Sequence, residues 1–241
     1  SYHIAAGTEP FLLLCGMILL VIIGNFFVNP LLMYVNIFYV HGGDKAAGAT
    51  LSGLYGSVLA VAMFISALTV PFLVQILDKK KVLLIGLSLG AGANLLNFFL
   101  INPNHPYLQL ITAAMLGAGM NCCWLLNGAF MADICDQDEL NFGYRREGMF
   151  AAAFGFIVKL AFTVISVALG YLIAVAGYEA GAETMTPETI TTLRYFLTFF
   201  PMACLLIAAV IFKFYPLTRE RIHEIQAQLN ARQEGAEEPQ V

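Results

Sequence analysis

Long apolar runs separated by short polar ones organise this chain of 241 residues. After a polar start at 1–9, apolar sequence runs from about Phe11 to Val40, then from Ala47 to Leu77 beyond the short loop His41–Lys45. Between Val82 and Ala132 there is no Asp, Glu, Lys or Arg. That is too long for one span, and the turn-forming AsnProAsnHisPro at 102–106 divides it. A charged stretch, Asp133 to Glu147, separates it from a run over 148–177. A polar, acidic loop from Tyr178 to Leu193 then leads into a run over 195–214. A helix needs about 20 apolar residues to cross a bilayer. The pattern therefore predicts an all-α membrane protein with six transmembrane helices, at about 11–40, 47–77, 82–101, 107–132, 148–177 and 195–214. Residues 1–214 form the bundle. In the tail, 215–241, Ile222, Ile225 and Leu229 at i, i+3 and i+7 predict an amphipathic helix. The last residues, EGAEEPQV, are expected to be disordered.

Composition agrees with the pattern. Apolar residues make up 59% of the chain and charged ones 12%, against about 25% charged in a soluble domain. The net charge of −4 and the lack of a basic stripe argue against a nucleic-acid partner. The lipid bilayer is the partner the composition implies. The five cysteines lack paired metal-binding spacing and read as core thiols. The chain begins at Ser1 with neither a basic leader nor a cleavage site, which predicts no signal peptide and a piece of a longer polypeptide. With six spans both ends lie on one side. That side holds Lys79, Lys80, Lys81, Arg145, Arg146, Lys213, Arg219, Arg221 and Arg232, and the other only Lys45 and Arg194. The positive-inside rule makes the first side cytoplasmic.

Three features carry candidate chemistry. Lys159 lies mid-span in the fifth run, where a cation costs about 2.5–3.5 kcal/mol. Gly155, Phe162 and Ser166 share its helix face. It is a substrate- or cation-coupling group in a cavity, or else a snorkelling or structural lysine. Any carboxylate partner must come from outside this chain's membrane interior. Trp124 has Asn121 and Asn127 one turn to either side. An aromatic ring flanked by amides suits a sugar, and packing is the plainer reading. The stretch Asp133, Asp136, Asp138, Glu139, Arg145, Arg146 and Glu147 carries both signs beside two helix ends. It is either a gate of breakable ion pairs or a solvated loop, and Asp133-x-x-Asp136 alone is a weak metal signal. Asn25, Asn29 and Asn36 share a face of the first span. That face turns toward protein or water. No metalloprotease, hydrolase or phosphate-loop motif is present, so nothing argues for an enzyme.

The stretch from Trp124 to Lys159 resembles the signature region of the glycoside–pentoside–hexuronide:cation symporters, the melibiose permease-like family of the major facilitator superfamily. The residues that carry the resemblance are Ala132-Asp133, Asp136, Glu139, Gly143 and Arg145-Arg146-Glu147, with tryptophan and lysine at matching distances, and TyrProLeuThr at 215–218. The resemblance implies the C-terminal half of a twelve-helix fold, with inverted repeats. It implies cation-coupled (Na+ or H+) symport of a sugar or glycoside. Trp124, Lys159, Asn121, Asn127, Gly155 and Val158 would bind substrate, and Lys159 would take part in coupling. Asp133, Asp136, Arg145, Arg146 and Glu147 would close a cytoplasmic gate. No cofactor is implied beyond the coupling cation, whose acidic ligands belong to the N-terminal six-helix half. A bacterial inner membrane is the implied location. Phe154-Gly155 departs from the family's polar Gln-Thr pair, which weakens a galactoside assignment. A lysophospholipid-type symporter of the same fold and a non-transporting membrane scaffold are the alternatives.

Overall fold

A computed structural model describes residues 2–175 and 186–237, with side chains for 9–26, 28, 30–171 and 186–232. The side chain of Asn29, the start of the acidic loop through residue 185, and the last four residues lie outside it.

Among the described residues seven α-helices follow in order: α1 Tyr2–Val35, α2 Lys45–Leu77, α3 Lys79–Leu100, α4 Gln109–Phe142, α5 Glu147–Val175, α6 Pro187–Lys213 and α7 Arg219–Glu237. There is no strand among the described residues. Six of these helices are long and apolar enough to cross a membrane. α1 continues through Pro30 and ends in a π-helical turn, Asn36–Val40. Gly42 and Gly43, both at positive φ, reverse the chain there. Asp44 then caps α2 by accepting a hydrogen bond from the Ala47 amide at 3.0 Å. At the other end of α2, the single residue Asp78, at φ +80°, makes the corner into α3.

α1 packs between α6 and α5, α4 packs against both α2 and α3, and α3 closes onto α6. Glycines set the tightest of these contacts. A Cβ on Gly119 of α4 would lie 2.5 Å from the Gly86 carbonyl of α3, so only hydrogen fits between the backbones. Two apolar clusters fill the interior. One, at the end bearing the α2–α3 corner and the tail, holds Phe130, Phe212, Tyr215, Ile222 and Ile225. The other holds Ile18, Val28, Leu31, Tyr55 and Ile165. α2 and α5 are the least covered helices, with large side chains such as Phe64, Phe72, Phe156 and Val167 exposed.

Helix ends differ from the expected ones in four places: α1 already begins at Tyr2, within the polar start, α7 runs to Glu237, into the end expected to be disordered, and α4 and α6 extend beyond their apolar runs. The fourth helix does not stop at residue 132: Asp133 through Phe142 continue α4, and the expected charged loop shrinks to Gly143–Arg146. No residue there breaks a helix until Gly143 takes φ +79° and ends it. The sixth helix starts at Pro187, not at 195. Thr186 caps it by accepting from the Thr189 amide, and proline occupies the first turn.

Candidate functional site

Trp124 projects from α4 and half-buries its ring on a cavity of about 210 Å³. Asn25, Phe26 and Val28 of α1, Tyr55, Leu59 and Met63 of α2, and Leu116 and Met120 of α4 form the rest of its wall. Asn25 donates its amide to the Val21 carbonyl at 2.9 Å, and its Oδ1 has no partner among the described residues. Val158 packs with Trp124 and Phe154 against the same apolar cluster. Asn121 Nδ2 and Asn127 Oδ1, one turn either side of Trp124, are buried without partners among the described residues. Buried amides rarely stay unpaired unless water or a ligand meets them. Neither Asn121 nor Asn127 reaches the cavity wall, and neither do Gly155 and Lys159.

Lys159 sits at the middle of the membrane-length segment Glu147–Tyr171 and is exposed. It forms no ion pair among the described residues. Thr163 and Ser166 beside it are exposed and turn their hydroxyls back onto carbonyls of α5, at 3.0 and 2.9 Å. Gly155 has open space where a Cβ would stand. The polar stripe of α5 is thus an uncovered face of this bundle.

The charged residues at the tail end divide into three sets. Asp133, 4% exposed, faces Lys79 of α3, whose Nζ lies 2.8 and 2.5 Å from the two carboxylate oxygens. Asp138, 1% exposed, holds Arg146 in a bidentate pair, with Nε donating at 2.7 Å. Arg146 also lies over the Phe142 ring. Arg145 reaches Asp136 at 2.9 Å, Glu139 at 3.3 Å and Glu147 at 3.1 Å, all nearer the surface. The Glu147 hydrogen bond first, then Asp136 and Glu139, hold its guanidinium above the ordinary arginine value. Asp133 and Asp136 therefore face different cations and do not form a metal pair. Of the participants, Lys79 was not in the charged stretch that the sequence offered as a gate.

The tail helix docks on this region. Gln226 donates to Asp136 at 3.5 Å, Arg232 to the Leu140 carbonyl at 2.8 Å, and Lys80 to the Tyr215 carbonyl at 2.7 Å. Burial, with the Asp133 charge adding to it, pushes the Tyr215 phenol above its ordinary value. At the opposite end Arg194 donates to the Phe98 carbonyl at 3.1 Å and lies over the Tyr39 and Phe98 rings, which ties α6 to α3 and α1.

A helical membrane bundle with an aromatic-lined cavity and an unpaired intramembrane lysine has the make-up of a transport protein. Residues 4–219 match the MFS/sugar transport protein family, and the chain belongs to it. Members of this family are transporters, not enzymes. A glucuronide carrier protein homolog of Escherichia coli (strain K12) is 29% identical over 93% of this chain and 48% of its own length. An uncharacterized symporter of Synechocystis sp. is 26% identical over 96% of this chain and 42% of its own. An inner membrane symporter of Escherichia coli (strain K12) is 30% identical over 41% of this chain and 22% of its own. The chain spans about half the length of the curated relatives that it matches along most of its own.

Proposed function

We propose that this chain is the C-terminal six-helix bundle of a symporter that couples Na+ or H+ to the uptake of a sugar or glycoside by alternating access. The observation that carries the reading is the uncovered polar stripe of α5 around Lys159. Hydrocarbon penalises a cation there by about 2.5–3.5 kcal/mol, so the face belongs against protein or water. A second bundle, contributed by the rest of a polypeptide twice this length, supplies both. Trp124 stacks on the sugar, and Asn121 and Asn127 offer amides to its hydroxyls. Lys159, with Gly155 and Val158 on its helix, links the substrate to carboxylates of the second bundle, where the cation binds. Closing that face exchanges lysine–carboxylate contacts for cation–carboxylate contacts, so the cation and the sugar raise each other's affinity by one common factor.

The ion pairs at the tail end form the cytoplasmic gate: Asp133–Lys79, Asp138–Arg146, and Arg145 with Asp136, Glu139 and Glu147. Arg145 and its partners, the more exposed of these, are the ones that break most cheaply. Both termini lie in the cytoplasm and the membrane is a bacterial inner membrane; the excess of Lys and Arg on this side supports the first reading, and the name of one relative, an inner membrane symporter, supports the second.

The test is gradient-driven uptake. Membrane vesicles carrying the full-length transporter are offered labelled glucuronides and other glycosides under a Na+ or H+ gradient, beside a Lys159→Gln variant that inserts normally. Accumulation that needs the gradient and is lost in the variant is the expected outcome. No gradient-dependent uptake of any glycoside, together with gradient-dependent uptake of a labelled lysophospholipid, would move the assignment to a lipid symporter.

A further inference from the structure

We infer that the cavity behind Trp124 receives the uncharged, apolar aglycone of the transported glycoside, not the sugar ring; this rests on the sugar-symporter reading above. Its walls are Phe26, Val28, Leu59, Met63, Leu116 and Met120, and no charged residue lines it. A pyranose carries a hydroxyl on most of its carbons. Each hydroxyl buried here without a partner would cost about 1–3 kcal/mol. The wall's own polar side chains offer little relief. The Asn25 amide nitrogen is committed to the Val21 carbonyl; its Oδ1 and the Tyr55 hydroxyl, each without a partner among the described residues, can meet one or two hydroxyls of a pyranose but not the rest. A pyranose ring is therefore disfavoured here against an apolar group, and so is a charged substituent.

Size points the same way. An apolar cavity of roughly 150 Å³ takes a benzene molecule, and this one, at about 210 Å³, takes a phenyl ring with a substituent. Met63 and Met120 are flexible and polarizable, so the wall adapts to several ring substituents instead of fitting one shape. Trp124 lines the cavity and stays half-exposed, so its ring can meet the sugar while the cavity accepts what the sugar carries.

The experiment compares methyl and phenyl β-D-glucuronide, and the same pair of glucosides, for binding to the purified full-length transporter. The phenyl compound is expected to bind about tenfold tighter or better, the effect of burying a ring in an apolar site. Met120→Phe, which fills the cavity, is expected to bring the phenyl-to-methyl ratio toward one. Equal affinities of methyl and phenyl glycosides in the unaltered protein would overturn the inference while leaving the sugar reading intact, and that comparison needs no variant to fold. A phenyl preference that survives Met120→Phe in folded protein would also overturn it, by placing the aglycone elsewhere. Failure of every glycoside to bind would overturn the sugar reading and the inference together.

Discussion

A carboxylate 4% exposed inside a membrane helix needs a cation, and Asp133 has Lys79. Desolvating both charges nearly cancels their attraction, so the pair itself contributes little. Removing one partner is different, because it strands the other. Lys79→Met is expected to destabilise the protein by about 3–5 kcal/mol. The double variant Lys79→Met/Asp133→Leu should recover most of that loss, since two apolar side chains of similar size need no solvation. Thermal unfolding of the purified protein in detergent measures both. Equal destabilisation of the single and double variants would mean that the two residues are not energetically coupled. This pairing was not legible in the sequence: Lys79 and Asp133 are 54 positions apart and meet only because α3 and α4 pack side by side. The contacts of Arg145 with Asp136, Glu139 and Glu147 were legible, because all of them lie within nine positions of it.

At the scale of helices, the hydrophobic runs located the six membrane-length elements but not their polar ends. Apolar patterning reports where a helix meets lipid or core, and a helix that continues into water loses that signal. The stop at Gly143 and the start at Thr186–Pro187–Glu188 were written in capping residues instead. The amphipathic spacing of Ile222, Ile225 and Leu229 was readable, and α7 buries the two isoleucines beside Tyr215. Helix neighbours were not readable, since small residues along α2, α3 and α4 look alike in sequence. The structure singles out Gly86 and Gly119, whose backbones touch. Gly119→Val is expected to push α3 from α4 and to destabilise the bundle by about 1–3 kcal/mol, with the cost coming from overpacking. Gly128→Val, whose Cβ would meet nothing within 4 Å, is the control. Thermal unfolding that failed to separate the two variants would refute the close-packing account.

For the molecule as a whole, the question is what covers α5. Lys159, Thr163 and Ser166 lie along one exposed side of the helix, and Val164 lies exposed on another. If the second bundle lines an aqueous pathway along the polar stripe, position 159 meets water while position 164 meets lipid. Single cysteines report this directly, because the chain's own Cys15, Cys122, Cys123, Cys135 and Cys204 are all buried. In the full-length transporter, Lys159→Cys is expected to react with a hydrophilic, membrane-impermeant thiol reagent, and Val164→Cys to react at least about tenfold more slowly, because a thiol in hydrocarbon rarely becomes thiolate. A bound glycoside should slow the reaction of Ser166→Cys, on the same stripe with Lys159 intact, and leave 164 unchanged. Equal silence at the two positions would mean that the stripe faces lipid and that Lys159 reaches water only by extending its side chain. Equal reactivity would mean that α5 is surrounded by water on both sides, which no pairing of two membrane bundles along the stripe allows.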